Sequence, residues 1–80
     1  MVNELVFIMN DATQDDFKPG ALLSFKSTGE KVRIVSHQRG DEFNALFEKN
    51  PHVEIAIHSR YYASFDLIEH NPNWDRGPYA

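Results

Sequence analysis

The stretch from Lys18 to Val35 constrains the fold most, because it holds two turns and two strands in close succession. Lys18–Gly20 predicts a turn, in which the proline fixes φ and the glycine accepts a positive φ. Ala21–Lys26 and Lys31–His37 have the composition and alternation of strands, and the polar loop Ser27–Glu30 joins them. We therefore expect the chain to be built on an antiparallel hairpin.

The alternation within this hairpin also predicts which side chains are buried. Leu23 and Phe25 share one face of the first strand, and Val32 and Ile34 share one face of the second. Arg33 lies between Val32 and Ile34, so we expect it to face water.

Three further segments read as strands. Glu4–Asn10 is a short apolar run typical of a buried strand. His52–Ser59 alternates clearly, with its valine and isoleucines on one side. Tyr61–His70 fits a strand best, although Ser59 could instead cap a helix over this segment.

The segment 41–49 predicts a short helix. Asp41 is a good N-cap, and Phe43, Leu46 and Phe47 have the spacing of one apolar helical face. Pro51 prevents the helix from continuing. A helix this short is marginal alone, so it must pack against apolar neighbours.

These elements predict a mainly β chain (α+β): a small five-stranded antiparallel barrel or half-barrel with one short helix inserted near residues 41–49. Residues 1–70 are expected to form a single barrel-like domain, and residues 71–80 an irregular C-terminal tail.

Two strings carry a resemblance to a known class of domain. "FKPGALLSFKSTGEKVRIVSHQ" resembles the opening, and "HVEIAIHSRYYASFDLIEH" the closing strand pair, of small bacterial and phage β-barrels of the Src-homology-3 type. The resemblance covers residues 17–70, with the helix as an insertion. It implies a binding module and transfers no catalytic residue.

Composition narrows the class of function. The 80 residues carry a net charge of −4 and include no cysteine, which excludes disulfides and thiolate metal sites. No apolar run reaches the ~20 residues of a membrane span. Since there is neither a secretory signal pattern nor a disulfide staple, we expect a cytoplasmic protein with no membrane partner.

No residue pattern points to catalysis or to a cofactor. His52 and His58 lie on one strand but about 20 Å apart, which is too far for one metal ion. Ser36 and His37 point to opposite faces of a strand, so they do not form a catalytic pair. The sequence therefore predicts no enzyme, no metal and no cofactor.

The residue types that dominate protein interfaces are concentrated towards the end of the chain. A partner-binding surface is predicted from the following residues: Arg60, Tyr62, Trp74, Arg76 and Tyr79. Trp74 has an equal claim to a structural role, as an apolar plug at one end of the barrel.

We accordingly expect a non-enzymatic binding module, a regulator or inhibitor that acts through protein–protein contact. One alternative is a nucleic-acid-binding barrel that uses Lys26, Lys31, Arg33, Arg60 and Arg76 around Tyr61, Tyr62 or Trp74. Another is an acidic mimic of DNA. A homodimer is possible through an exposed strand edge, for which Val2–Met9 is a candidate.

Overall fold

The structure, a computed structural model, describes residues 10–74. Six strands and two short 3₁₀ helices, η1 and η2, occur in this part of the chain. Their order is β1 Asn10–Asp11, η1 Gln14–Asp16, β2 Ala21–Phe25, β3 Lys31–Arg39, β4 Glu42–Phe47, β5 Glu54–His58, η2 Ser59–Ser64 and β6 Phe65–His70.

All strands of the described residues form one antiparallel sheet in the order β1-β6-β2-β3-β4-β5. The chain is thus mainly β, as predicted, and the β2–β3 hairpin is confirmed with a left-handed Gly29 at its turn. The sheet has six strands and is not a closed barrel. Most of the predicted strand Glu4–Asn10 lies outside the described residues.

The predicted helix at residues 41–49 is wrong, because this segment is strand β4. Phe43 and Ala45 point into the core while Asn44 and Leu46 point away from it, which is the period of a strand. Gly40 takes a positive φ of 50°, and the turn it forms with Asp41 reverses the chain from β3 into β4. Pairing with strands on both sides satisfies backbone groups that a marginal helix would leave at its ends.

The prediction for Tyr61–His70 is half right. Strand β6 occupies only Phe65–His70, and the residues before it form η2. The chain must cross here from β5, at one edge of the sheet, to β6 near the other. Backbone hydrogen bonds hold both ends of the crossing: Ser59 donates to Asp41, and Lys26 donates to Ser64.

The sheet curves around an inner face that carries the core. Phe17 closes this face, since its ring lies 6.1 Å from that of Phe43 on β4 and 5.5 Å from that of Phe65 on β6. These two strands are three positions apart in the sheet. One aromatic ring therefore spans the concavity, while Leu23, Val32 and Ile34 are fully enclosed beneath it.

Two neighbouring rows of residues on opposite faces of the sheet cross β6, β2, β3 and β4; the inner row ends just before β5 and the outer row at its first residue. The inner row is apolar throughout: Leu67, Leu23, Val32, Phe47 and Val53. The outer row alternates charge with leucine: Glu69, Leu22, Arg33, Leu46 and Glu54. Each row is one cross-strand ladder, so its members are direct neighbours.

The prediction that Arg33 faces water is wrong, because Glu69, Gly20 and Trp74 cover its side chain. Its side chain is 14% exposed and donates hydrogen bonds to the Gly20 carbonyl at 3.1 Å and to Glu69 at 2.8 Å. The ring of Trp74 lies over the guanidinium, 5.5 Å from its central carbon. The outer face therefore has a small packed cluster of its own.

The turn after β6 brings Trp74 to this cluster. Asn71 donates its backbone N–H to the Gly20 carbonyl, and its side-chain oxygen accepts the N–H of Asn73. Gly20 has a φ of 97°, and a Cβ atom at this position would clash with the carbonyl oxygen of Asn71. A glycine is thus required where β2 begins, since any side chain would push the turn away.

Candidate functional site: the margin of strand β5

The large hydrophobic residues that the described part of the chain exposes all flank β5. Val53, just before the strand, is 41% exposed, whereas Tyr61 and Tyr62, just after it, are 56% and 40% exposed. Tyrosine is enriched at interfaces because it combines a large apolar ring with a polar tip. The margin of β5 is therefore the candidate functional site.

Arg60, Tyr61 and Tyr62 of η2 form a surface that we name the tyrosine patch. The guanidinium of Arg60 lies 5.2 Å from the centre of the Tyr61 ring, and His58 meets the same ring edge-on at 5.9 Å. Both contacts hold Tyr61 in place while it stays exposed to solvent. A pre-oriented ring loses less side-chain entropy when a partner binds.

An open hollow adjoins the tyrosine patch. Its volume is about 360 Å³, and it lies between the end of β2, the end of β5 and η2. The residues that line it are mostly apolar or small: Phe25, Ser27, Ala56, Ile57, His58, Tyr61, Ser64 and Phe65. A hollow of this size accommodates one or two apolar side chains of a docked polypeptide.

A second hollow, of about 260 Å³, lies at the opposite end of β5. Phe47 and Val53 supply its apolar surface, and Glu30, Lys31 and Lys49 lie at its rim. The two hollows are separated by the length of β5.

The outer edge of β5 joins the two hollows. Phe47 donates its N–H to Val53, and Ser59 donates to Asp41, which places Val53 and Ser59 in hydrogen-bonded pairs with β4. Such pairs recur at every second residue of an antiparallel ladder. Glu54, Ala56 and His58 therefore direct their backbone N–H and C=O groups away from β4, and Ala56 is exposed.

The structure brings together some of the predicted partner-binding residues and separates others. Arg60 and Tyr62 are exposed neighbours on η2. Trp74 lies beyond the other end of β6, about 20 Å away along that strand, and its ring covers Arg33. Arg76 and Tyr79 lie outside the described residues.

Sequence reasoning placed Tyr61 among the candidates but did not single it out, although it is the most exposed aromatic side chain of the patch. The signal that could have identified it is the run Arg60-Tyr61-Tyr62 directly after a strand. Strand alternation assigns only one of two adjacent tyrosines to the surface, whereas a 3₁₀ turn exposes both.

Carboxylates neutralise several of the basic side chains. Lys26 bonds Asp11 and Asp66 at 2.6 Å each, and these hydrogen bonds raise the pKa of Lys26. The same bond from Lys26 holds the pKa of Asp11 below its usual range. Elsewhere Arg33 pairs with Glu69, so two cations of the hairpin have partners within the chain.

Residues 10–74 contain no group of three metal-ligating side chains close enough to hold an ion. His58 lies 3.6 Å from Glu42, and His37 contacts the carbonyl oxygen of Gly40 at 2.8 Å. In the same part of the chain, no helix has the length and apolarity needed to cross a membrane.

Comparison of the chain with protein-family models, with curated proteins and with solved structures gives no match. The resemblance of residues 17–70 to small Src-homology-3-type barrels therefore stays a prediction.

Proposed function

We propose that the chain is a non-enzymatic protein-binding module, a regulator or inhibitor, and that a partner protein docks on the tyrosine patch and its hollow. The observation that supports this proposal most is the exposure of two adjacent tyrosines, at 56% and 40%, beside an apolar hollow. A partner that filled the hollow and also covered the tyrosine patch would remove the hollow and both rings from water. Such central aromatic contacts supply most of the affinity in many interfaces.

The charge distribution supports a protein partner over a nucleic acid. Lys26 and Arg33, two of the cations that nucleic-acid binding would use, form ion pairs with carboxylates of the same sheet. A phosphate would have to compete with those carboxylates, and a net charge of −4 adds general repulsion. The same pairing weakens the case for a DNA mimic, since Asp11, Asp66 and Glu69 are partly neutralised.

Affinity capture with a double variant tests the proposal. The chain and its Tyr61→Ser/Tyr62→Ser variant are immobilised at equal density, and proteins captured from a lysate of the source cell are identified by mass spectrometry. We expect a protein that binds the wild-type chain and is depleted at least tenfold on the variant, because both hydrophobic anchors are lost. Circular dichroism establishes that the variant is folded.

Gln38→Ala is the matched control, because Gln38 is exposed on β3 and lies outside the patch and its hollow. It should capture the partner as well as the wild-type chain does. If the double variant still captured the partner, the binding site would not be the tyrosine patch. Capture of DNA or RNA alone at low ionic strength, where phosphate contacts are strongest, would overturn the proposal in favour of nucleic-acid binding.

A further inference from the structure

The open hollow beside the tyrosine patch is lined by aromatic rings, and this lining indicates what fills it. Phe25, Tyr61 and Phe65 supply three rings, and the imidazole of His58 supplies a fourth. We propose that the partner docks with one tyrosine or tryptophan side chain inserted into this hollow. The inference rests on the proposed function, because it names the side chain through which the partner protein would bind that site.

The aromatic rings of the core lead directly into the hollow. The ring of Phe65 lies 5.5 Å from that of Phe17 in the core and 4.7 Å from that of Phe25, which lines the hollow with it. Centroid separations of about 4.5–7 Å are those of favourable aromatic pairs. A partner ring in the hollow would add one more member to this series, next to Phe25 and Tyr61. An aliphatic side chain would fill the space without these ring contacts.

The charges around the hollow favour an uncharged occupant. Among the described residues, its lining includes no lysine, arginine, aspartate or glutamate. The adjacent charged side chains of Lys26 and Asp66 bond each other at 2.6 Å, so neither charge is available to a ligand. The guanidinium of Arg60 already lies 5.2 Å from the centre of the Tyr61 ring and would repel a second cation there. A charged partner side chain would therefore lose water without gaining an opposite charge.

Two serines at the rim favour an aromatic side chain that has a polar tip. Ser27 and Ser64 line the hollow and are exposed, and within residues 10–74 their hydroxyl groups form no hydrogen bond. A docked partner would shield these hydroxyls from water, so a new hydrogen bond would offset the loss. The phenol O–H of a tyrosine or the indole N–H of a tryptophan can supply that bond, whereas phenylalanine and leucine side chains cannot.

Binding of single blocked amino acids tests the inference without the partner. The isotopically labelled full chain is titrated by NMR with the N-acetyl amides of tryptophan, tyrosine, phenylalanine, leucine and lysine. Such small probes bind with a Kd on the order of 1 mM, which amide shifts can measure. Tryptophan and tyrosine should bind about three- to tenfold tighter than leucine, because aromatic pairs add affinity beyond that of buried area. Lysine should bind most weakly, and the largest shifts should fall on Ala56, Ile57, Ser64 and Phe65.

The two adjacent tyrosines provide a matched pair of variants. Tyr61→Leu removes a ring that lines the hollow, whereas Tyr62→Leu removes a ring that does not. Tyr61→Leu should weaken binding of the tryptophan probe about fivefold, because one of the aromatic contacts is lost. It should leave binding of the leucine probe nearly unchanged, and Tyr62→Leu should leave both unchanged. Circular dichroism of each variant checks that it is folded.

Several results would overturn the inference. They are equal affinity for the tryptophan and leucine probes, tightest binding of lysine, shifts that fall outside the hollow, and equal effects of the two tyrosine variants. Adenosine serves as a further probe, and tighter binding of adenosine than of either aromatic amide would assign the hollow to a nucleobase. Failure of the proposed function is a separate result, because it requires that the Tyr61→Ser/Tyr62→Ser variant still captures the partner protein.

Discussion

The inner and outer rows run side by side on opposite faces of the sheet, and they are stabilised in different ways. The inner row is apolar at every position: Leu23 and Val32 are fully enclosed in the core, Phe47 and Leu67 pack against it, and only Val53 at the end of the row is exposed. In the outer row, Leu22 and Leu46 are buried on the face opposite the core, next to the largely covered side chain of Arg33. The inner face of this small sheet is thus stabilised by apolar packing. The outer face is stabilised in part by a charged side chain that an aromatic ring covers.

The largest expected difference between the rows comes from deleting a leucine in each. Leu23→Ala should lower the free energy of unfolding by about 3 kcal/mol, because it leaves a cavity in an enclosed core. Leu22→Ala should cost about half as much, since the flexible stem of neighbouring Arg33 can move into the space. Urea denaturation measures both changes.

Equal denaturant dependence of the two leucine variants is the control, because it shows that both unfold from the same native state. A cost for Leu22→Ala that matches the cost for Leu23→Ala would mean that the outer row is packed as tightly as the core.

The next effect concerns the charge at the centre of the outer row. Arg33→Met keeps most of the length of the side chain but removes a donor from Gly20 and a partner from Glu69. We expect the free energy of unfolding to fall by about 1–2 kcal/mol. Glu69→Gln should cost only about 0.5 kcal/mol, because the Glu69 side chain is 50% exposed. Thermal and urea denaturation distinguish the two variants.

If Glu69→Gln proves as costly as Arg33→Met, the ion pair dominates, and the bond to Gly20 and the packing contribute little.

A smaller effect is expected at the aromatic cover of the outer row. Trp74→Ala should lower the free energy of unfolding by about 1 kcal/mol, from the lost contact with Arg33 and the lost burial of a half-exposed ring. Trp74→Phe should lower the free energy of unfolding by only about half as much, because a smaller aromatic ring still covers Arg33. Trp74 is the only tryptophan of the chain, so in the wild type its fluorescence should report unfolding at the same denaturant midpoint as circular dichroism does. Separate midpoints would show that the Trp74 ring leaves its contact with Arg33 before the sheet unfolds.

The smallest effect is a dependence on pH at the hairpin end of the sheet. Lys26 holds the pKa of Asp11 below its ordinary value, so this pair stabilises the fold at neutral pH. The stabilisation should disappear as the pH falls through the lowered pKa of Asp11. It should also fade in strong alkali, as the pH rises through the raised pKa of Lys26.

The wild type and Lys26→Met should accordingly differ in the free energy of unfolding near neutral pH and converge on acidification. Urea denaturation at a series of pH values measures the difference. Lys49→Met, at an exposed position, is the matched control and should show no such convergence. A difference that persists in acid would assign the contribution of Lys26 to packing of its aliphatic stem.

The sequence predicted the inner row far better than the outer one, for a physical reason. Alternation identifies which of two faces is apolar, so Leu23 and Val32 were placed correctly in the core. Alternation says nothing about whether a polar face is covered. The burial of Arg33 depends on a turn at Asn71 that brings Trp74 back over the sheet, which is a contact between distant parts of the chain.

Strand β4 was mistaken for a helix because two periods fit the same residues. Phe43, Leu46 and Phe47 match a helical face, but Phe43, Ala45 and Phe47 match a strand, and the choice is made by the neighbouring strands β3 and β5. At the candidate site, residue type selects Arg60 and Tyr62 as partner-binding residues, and this selection stays a prediction; both side chains are exposed on η2. Residue type does not show that these two residues and Trp74 lie at opposite ends of β6, because that depends on where the strand begins and ends.

That order has a consequence for how the protein is made. Strands β2 to β5 form a continuous meander and can pair as soon as each leaves the ribosome. Strand β6 is the last of the described strands to be synthesised, yet it lies between β1 and β2. Until it emerges, β1 lacks its neighbour in the sheet, and the edge of β2 that β6 covers stays open. The nascent chain is thus most vulnerable to aggregation just before its last described strand is complete.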